Sequence, residues 1–147
     1  MMRNIKVLAA VIFTFCVSFS ATYGEAVMDP QQWLAKFNET VQQGKQEEIR
    51  KIVVGLPTRA ASRDVIIQVI DLMATVQRGR TPTGVSTVQI NRLGDLIFRG
   101  IMMANFEDDK PVFVLFDFLK SGNGWVLTDL SLNTNLNPLL TWPWPYH

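Results

Sequence analysis

Apolar residues run almost without interruption along Val112 to Leu119 and along Trp125 to Leu132, with Ser121-Gly122-Asn123-Gly124 between the two runs. Successive side chains of a strand point to opposite faces, so Phe113, Leu115 and Leu119 share one face and Val112, Val114, Phe116 and Phe118 the other. A strand apolar on both sides belongs inside a sheet that is covered above and below. Gly122-Asn123 supplies the positive φ angles of a two-residue hairpin turn. That turn sets Ser121 opposite Gly124, Phe118 opposite Leu127, Asp117 opposite Thr128 and Phe116 opposite Asp129.

Leu96 to Phe106 predicts another strand, with Asp108-Asp109 as a second two-residue turn before Lys110-Pro111. In that register Gly100 lies beside Asp117, and Phe98, Met102, Phe106, Phe113, Leu115, Asp117, Thr128 and Leu130 gather on one nearly apolar face. Arg99, Ile101, Met103, Val114, Phe116, Phe118, Trp125 and Asp129 fall on the other, a mixed face suited to partial exposure or to a partner subunit. A one-residue slip in either turn exchanges these sets. Val85 to Leu93 predicts the remaining strand, turning at Gly94, and Gly100 inside the long strand marks a bend or bulge.

The period changes from 2 to 3.6 upstream. Asp29-Pro30-Gln31-Gln32 has the order of a helix start: Asp as N-cap, Pro at the first position, and Gln three residues after the cap. Trp33, Leu34, Phe37 and Val41 form one stripe that Gly44 ends. Ile49, Ile52, Val53 and Leu56 predict a second helix, stopped by Gly55 and Pro57. A third, Ala60 to Gln77, is apolar nearly all round, with Asp64, Gln68, Asp71 and Thr75 confined to a single stripe, and its berth is across the apolar face of the sheet. Arg78 to Gly84 is a loop rich in turn formers. The prolines of Trp142-Pro143-Trp144-Pro145 keep that tail out of any central strand. It would either dock on a groove or another chain, or fold over its own domain.

The 147 residues, 48% of them hydrophobic, suit one domain with a proper core. Arg3 and Lys6 precede an uncharged apolar run, Val7 to Phe19, that ends near small residues. This is the layout of a secretory signal peptide, too short for a membrane span. The expected division is a signal peptide over 1–24, an α+β domain over 25–140 and a Pro/Trp-rich tail over 141–147. The protein is thus expected to be exported, periplasmic or secreted, with no stable membrane association after cleavage. The sole cysteine, Cys16, lies within the run, so the mature chain has no thiol for a disulfide or a metal. Losing Arg3 and Lys6 takes 14 basic residues down to 12 against 13 acidic ones. A nearly neutral domain has no electrostatic footprint for nucleic acid.

Three N-terminal helices, then a curved antiparallel sheet with a glycine-interrupted strand and a terminal hairpin bearing Gly124-Trp125-Val126-Leu127-Thr128-Asp129, resemble the nuclear transport factor 2-like superfamily. Its SnoaL-like and ketosteroid-isomerase-like branches share the same cone-shaped roll, and the resemblance covers Asp29 to Asn133 by element order. It implies an α+β fold, three helices packed on a curved, mainly antiparallel four-stranded sheet, with a cavity between the layers. It also implies dimerisation through the sheet and functions that range from isomerases to ligand-binding modules without catalysis.

Chemistry is sparse in the residues themselves. The single histidine, His147, ends the chain, so a Ser-His-Asp triad has no internal member. Zinc sites of the usual Cys and His spacing and phosphate-binding loops are likewise missing from the pattern, and no cofactor or metal is expected. Asp117 is the one charge on the predicted apolar face. Desolvation there would raise its pKa and fit it for general-base work, as the isomerase branch uses an acid in its cavity. The alternative is a strand carboxylate paired with a basic residue. Arg99 and Asp129 are expected to pair on the other face. The leading expectation is a non-catalytic domain that binds a small apolar ligand or a protein partner through its cavity or sheet face. Phe98, Met102, Phe113, Leu115, Thr128 and Leu130 would line the ligand. The second is an isomerase- or hydrolase-like enzyme using Asp117 as base.

Overall fold

Asp29 has extended backbone, φ −141° and ψ 118°, and its carboxylate accepts the Gln31 N–H at 3.1 Å. This cap, with Pro30 already holding helical φ, starts α1 (Pro30–Gln42), which Gly44 ends at φ +68°. α2 (Gln46–Val54) and α3 (Ala60–Gln77) follow, then four strands: β1 (Gly84–Leu93), β2 (Ile97–Asn105), β3 (Val112–Ser121) and β4 (Gly124–Asn133). A final turn of helix, α4 (Asn137–Leu140), precedes the tail. This computed structural model describes residues 29–107 and 110–144. The predicted signal segment, the Asp108-Asp109 turn and the last three residues of the tail lie outside them. Among the described residues no helix is long and apolar enough to cross a membrane.

The protein is an α+β fold: helices packed on a four-stranded antiparallel sheet of order β1-β2-β3-β4. The first three helices and the four strands fall where periodicity places them and α4 is an addition to that pattern, but the register between strands departs from expectation twice. Between β2 and β3, Gly100 pairs with Phe116 and Arg99 with Asp117, one residue away from the register of a two-residue turn. Pro111 has no N–H to give the ladder, and regular pairing begins only at Val112 opposite Ala104. Between β3 and β4 the hairpin keeps Ser121 opposite Gly124 and Phe118 opposite Leu127, as the Gly122-Asn123 turn dictates. A β-bulge at Thr128 then shifts the pairing, so that Asp117 faces Asp129 and Phe116 faces Leu130. The Leu127 N–H turns away to the Pro57 carbonyl at 2.9 Å, and the Thr128 hydroxyl donates to the Asp117 carbonyl at 3.1 Å.

The two shifts exchange the faces of β3. Val112, Val114, Phe116 and Phe118 turn toward the helices and join Phe98, Met102, Leu127 and Leu130 in the main core with Leu34, Phe37, Ile66 and Met73. Trp33 and Phe37 stack at 5.2 Å, and both meet Phe116 edge-on at 5.3 and 4.9 Å. Gly100 leaves room for α1 on this face: a Cβ there would come within 2.6 Å of the Leu34 Cδ2 atom. The outer face carries Ile101, Phe113 and Leu115, and Leu139 of α4 closes over them with Leu136 beside it. Both faces of β2 and β3 are therefore buried, as their two-sided apolar pattern requires.

Candidate functional site

Arg99 and Asp117, directly opposed on β2 and β3, meet on the outer face. The Arg99 Nε donates to Asp117 Oδ1 at 2.7 Å and Nη2 to Oδ2 at 2.6 Å, a bidentate pair in which the side chains are 4% and 0% exposed. The guanidinium also reaches the tail. Nη1 donates to the Trp142 carbonyl at 2.6 Å, Nη2 to the Pro143 carbonyl at 3.0 Å, and the Trp144 ring lies 4.3 Å from the guanidinium carbon. The Trp142 indole N–H donates to Asp129 Oδ2 at 2.7 Å. Sheet and tail are thus clasped by one buried cation, two aspartates and two tryptophans.

Burial raises the Asp117 carboxyl above its ordinary value, the hydrogen bonds and charge of Arg99 oppose that rise, and the charge of Asp129 adds to it. The expected Arg99–Asp129 pair is not formed. Arg99 turns to Asp117 because the register places them side by side, and Asp129 takes the Trp142 indole instead. Nor does Asp117 lie beside Gly100 and opposite Thr128 in an apolar cavity: its Cα partners are Arg99 and Asp129, and its side chain is on the face away from α1 and α3. Both carboxylate oxygens are held by Arg99.

Between the layers, at the end of the sheet where β1 meets the β2–β3 loop, the helices leave a narrow cleft. Val41 of α1, Met73, Val76 and Gln77 of α3, and Met102, Ala104, Phe106, Val112 and Val114 line it. Its cavity volume is about 10 Å³, room for a single water. Of the six residues expected to line a ligand, Met102 alone borders this cleft. Phe98 and Leu130 share the helix-facing core with it, Phe113 and Leu115 lie on the outer face, Phe113 and Leu115 packing in the cluster under α4, and Thr128 occupies the bulge.

Gln77 stands apart from the polar stripe Asp64, Gln68, Asp71 and Thr75 of the same helix. Ile66, Ile70, Met73 and Gln77 follow one another at helical spacing, so a polar residue continues the buried stripe of α3. Gln77 is 3% exposed, and its Oε1 has no hydrogen-bond partner. Among the described residues, no three His, Cys, Asp or Glu side chains converge as metal ligands. Compared with known proteins, the chain matches no family model and has no significant sequence match among curated proteins.

Proposed function

We propose that this chain is an exported, non-catalytic binding module of the nuclear transport factor 2-like type, and that its ligand is a small apolar molecule held in the cleft between α1, α3 and the sheet. The observation that carries the reading is the separation of charge from cleft. The fully buried carboxylate, Asp117, is neutralised by Arg99 beneath the tail on the outer face, while the cleft wall is aliphatic, aromatic and thioether apart from Gln77. General-base chemistry needs a free carboxylate at the substrate, and an apolar cleft with few polar groups suits binding. On the outer sheet face Leu139 packs over Ile101, Phe113 and Leu115, and Trp142 and Trp144 sit on Arg99, which supports placing the ligand in the cleft rather than there. The cleft as it stands has room for one water, so the reading requires the unbranched, flexible side chains of Met73 and Met102 to move aside for a larger guest.

The test is a titration of protein carrying 13C-methyl methionine with toluene. The Met73 and Met102 methyl resonances are expected to shift saturably, whereas Met103, beside the outer cluster under α4, stays unmoved. No saturable shift at Met73 and Met102 overturns the reading.

A further inference from the structure

We infer that the clasp is completed between copies as well as within one: the socket formed by Arg99, Asp117 and Asp129 takes the Trp142-Pro143-Trp144 tail of a second copy, which receives the first copy's tail in return. The socket belongs to the sheet. Arg99, Asp117 and Asp129 sit side by side on β2, β3 and β4. Asp117 grips the Nε and Nη2 of Arg99 at 2.7 and 2.6 Å, which aims the guanidinium independently of the tail. The tail is then read at four points over three consecutive residues. The Trp142 indole N–H donates to Asp129 at 2.7 Å, and the Trp142 carbonyl accepts from Nη1 at 2.6 Å. The Pro143 carbonyl accepts from Nη2 at 3.0 Å, and the Trp144 ring lies 4.3 Å from the guanidinium carbon. None of these contacts depends on which copy supplies the tail, and every copy carries one.

The tail is also joined in a way that lets it change hosts. Residues 134–136 link β4 to α4 without helix or strand. Two asparagine side chains fold this link back: the Asn133 Oδ1 accepts the Asn135 N–H at 2.9 Å, and the Asn135 Oδ1 accepts the Asn137 N–H at 3.1 Å, both in exposed positions where water replaces them readily. Leu139 packs with Ile101, Phe113 and Leu115 in a cluster apart from the main core. Residues 137–144 can therefore lift while the helices stay seated on the other face. A lifted tail leaves an apolar strip and a buried charge pair wet, and the tail of a second copy covers both. The tethered tail competes at an effective concentration of about millimolar. Wild-type protein is thus monomeric when dilute and pairs as it is concentrated toward that value.

Two variants of the mature chain, mixed, separate tail exchange from any other association. Arg99→Met keeps the tail and breaks the socket, whereas Trp142→Ala/Trp144→Ala keeps the socket and breaks the tail. Neither variant completes a clasp alone. In the mixture the intact socket takes the intact tail with no tethered competitor, so native mass spectrometry should show the mixed pair exceeding either variant's own pair on the order of tenfold. Mixed pairs at the level of random association, or none, overturn the inference. Asn133→Ala/Asn135→Ala decides the question even if a clasp variant folds poorly, because it leaves socket and tail intact and removes only the two bonds that fold the link back. Its dimerisation constant by sedimentation should rise on the order of tenfold above wild type. A constant no higher than that of the wild type, or no pair in either protein up to about millimolar concentration, overturns the inference equally.

Discussion

Replacing Arg99 by Met probes the clasp most directly, because Met fills much of the slot of the arginine stem and brings no charge. The wild-type pair is almost sealed from water, with the side chains 4% and 0% exposed, so no solvent takes the place of the guanidinium. Breaking such a pair from one side costs about 3–5 kcal/mol, against a total stability of roughly 5–15 kcal/mol for a domain. The variant can recover part of this by protonating Asp117. That carboxyl already sits above its ordinary value of 3.8 through burial and the charge of Asp129, and deleting Arg99 removes both influences that lower it. The native variant then keeps a proton that the unfolded chain gives up near the ordinary value. The stability carried by this group is fully present below about pH 4. It is lost as pH rises from there to the raised native pKa, by about 1.4 kcal/mol per pH unit. Wild type has the same sign with smaller amplitude, because Arg99 opposes the shift. Urea denaturation followed by tryptophan fluorescence should show a deficit of about 3–5 kcal/mol at pH 7, shrinking as the pH falls to 4. The double variant R99M/D117L should regain most of it. A deficit below about 1 kcal/mol at pH 7, or one that stays level or grows on acidification, refutes the reasoning.

Trp142→Phe keeps an aromatic ring but loses the indole N–H that donates to Asp129. It should cost about 0.5–1.5 kcal/mol in the same urea assay, and no loss would show that bond to be idle. Gly100→Ala drives a Cβ to within 2.6 Å of Leu34 Cδ2 and 3.2 Å of Phe98 Cε1. It should destabilise by about 1–3 kcal/mol, and an unchanged urea midpoint would mean that α1 yields freely. Asp29→Ala removes the cap on Gln31 N–H and a contact with Arg92, for an expected loss of about 0.5–2 kcal/mol. The signal-peptide reading predicts that protein purified from cells has the intact mass of a chain beginning at Glu25 or Val27, and a product that keeps Met1 to Gly24 would overturn it.

Local pattern located α1 to α3 and the four strands, through Asp29-Pro30 for the start of α1, Ala60 to Gln77 for α3 and Gly122-Asn123 for the last hairpin, but not α4. What it did not carry was the relation between neighbouring strands. A period of two fixes which side chains share a face within a strand, but the face of one strand relative to the next depends on loop geometry. The ladder between β2 and β3 starts at Val112 rather than Pro111, and the extra residue at Thr128 sits in the middle of β4. Neither Pro111 nor Thr128 states its register in the sequence. Val114, Phe116 and Phe118 are as apolar as Phe113 and Leu115, so hydrophobicity could not choose between the two assignments. The candidate site inherited that ambiguity, which is why Met102 kept its place at the cleft and Phe113, Leu115 and Asp117 did not.

The exchange of faces also explains why the tail is built as it is. With Phe116 and Phe118 turned to the helices, the outer side of β3 presents Phe113, Leu115 and Asp117, a surface too apolar to leave wet and holding a charge too deep to leave unpaired. Leu139 covers the apolar part. Arg99 answers the charge, and its remaining N–H groups then need acceptors, which the Trp142 and Pro143 carbonyls provide. Each piece of the clasp satisfies a group that the previous one leaves open, so Asp117 is bound into the scaffold rather than held free.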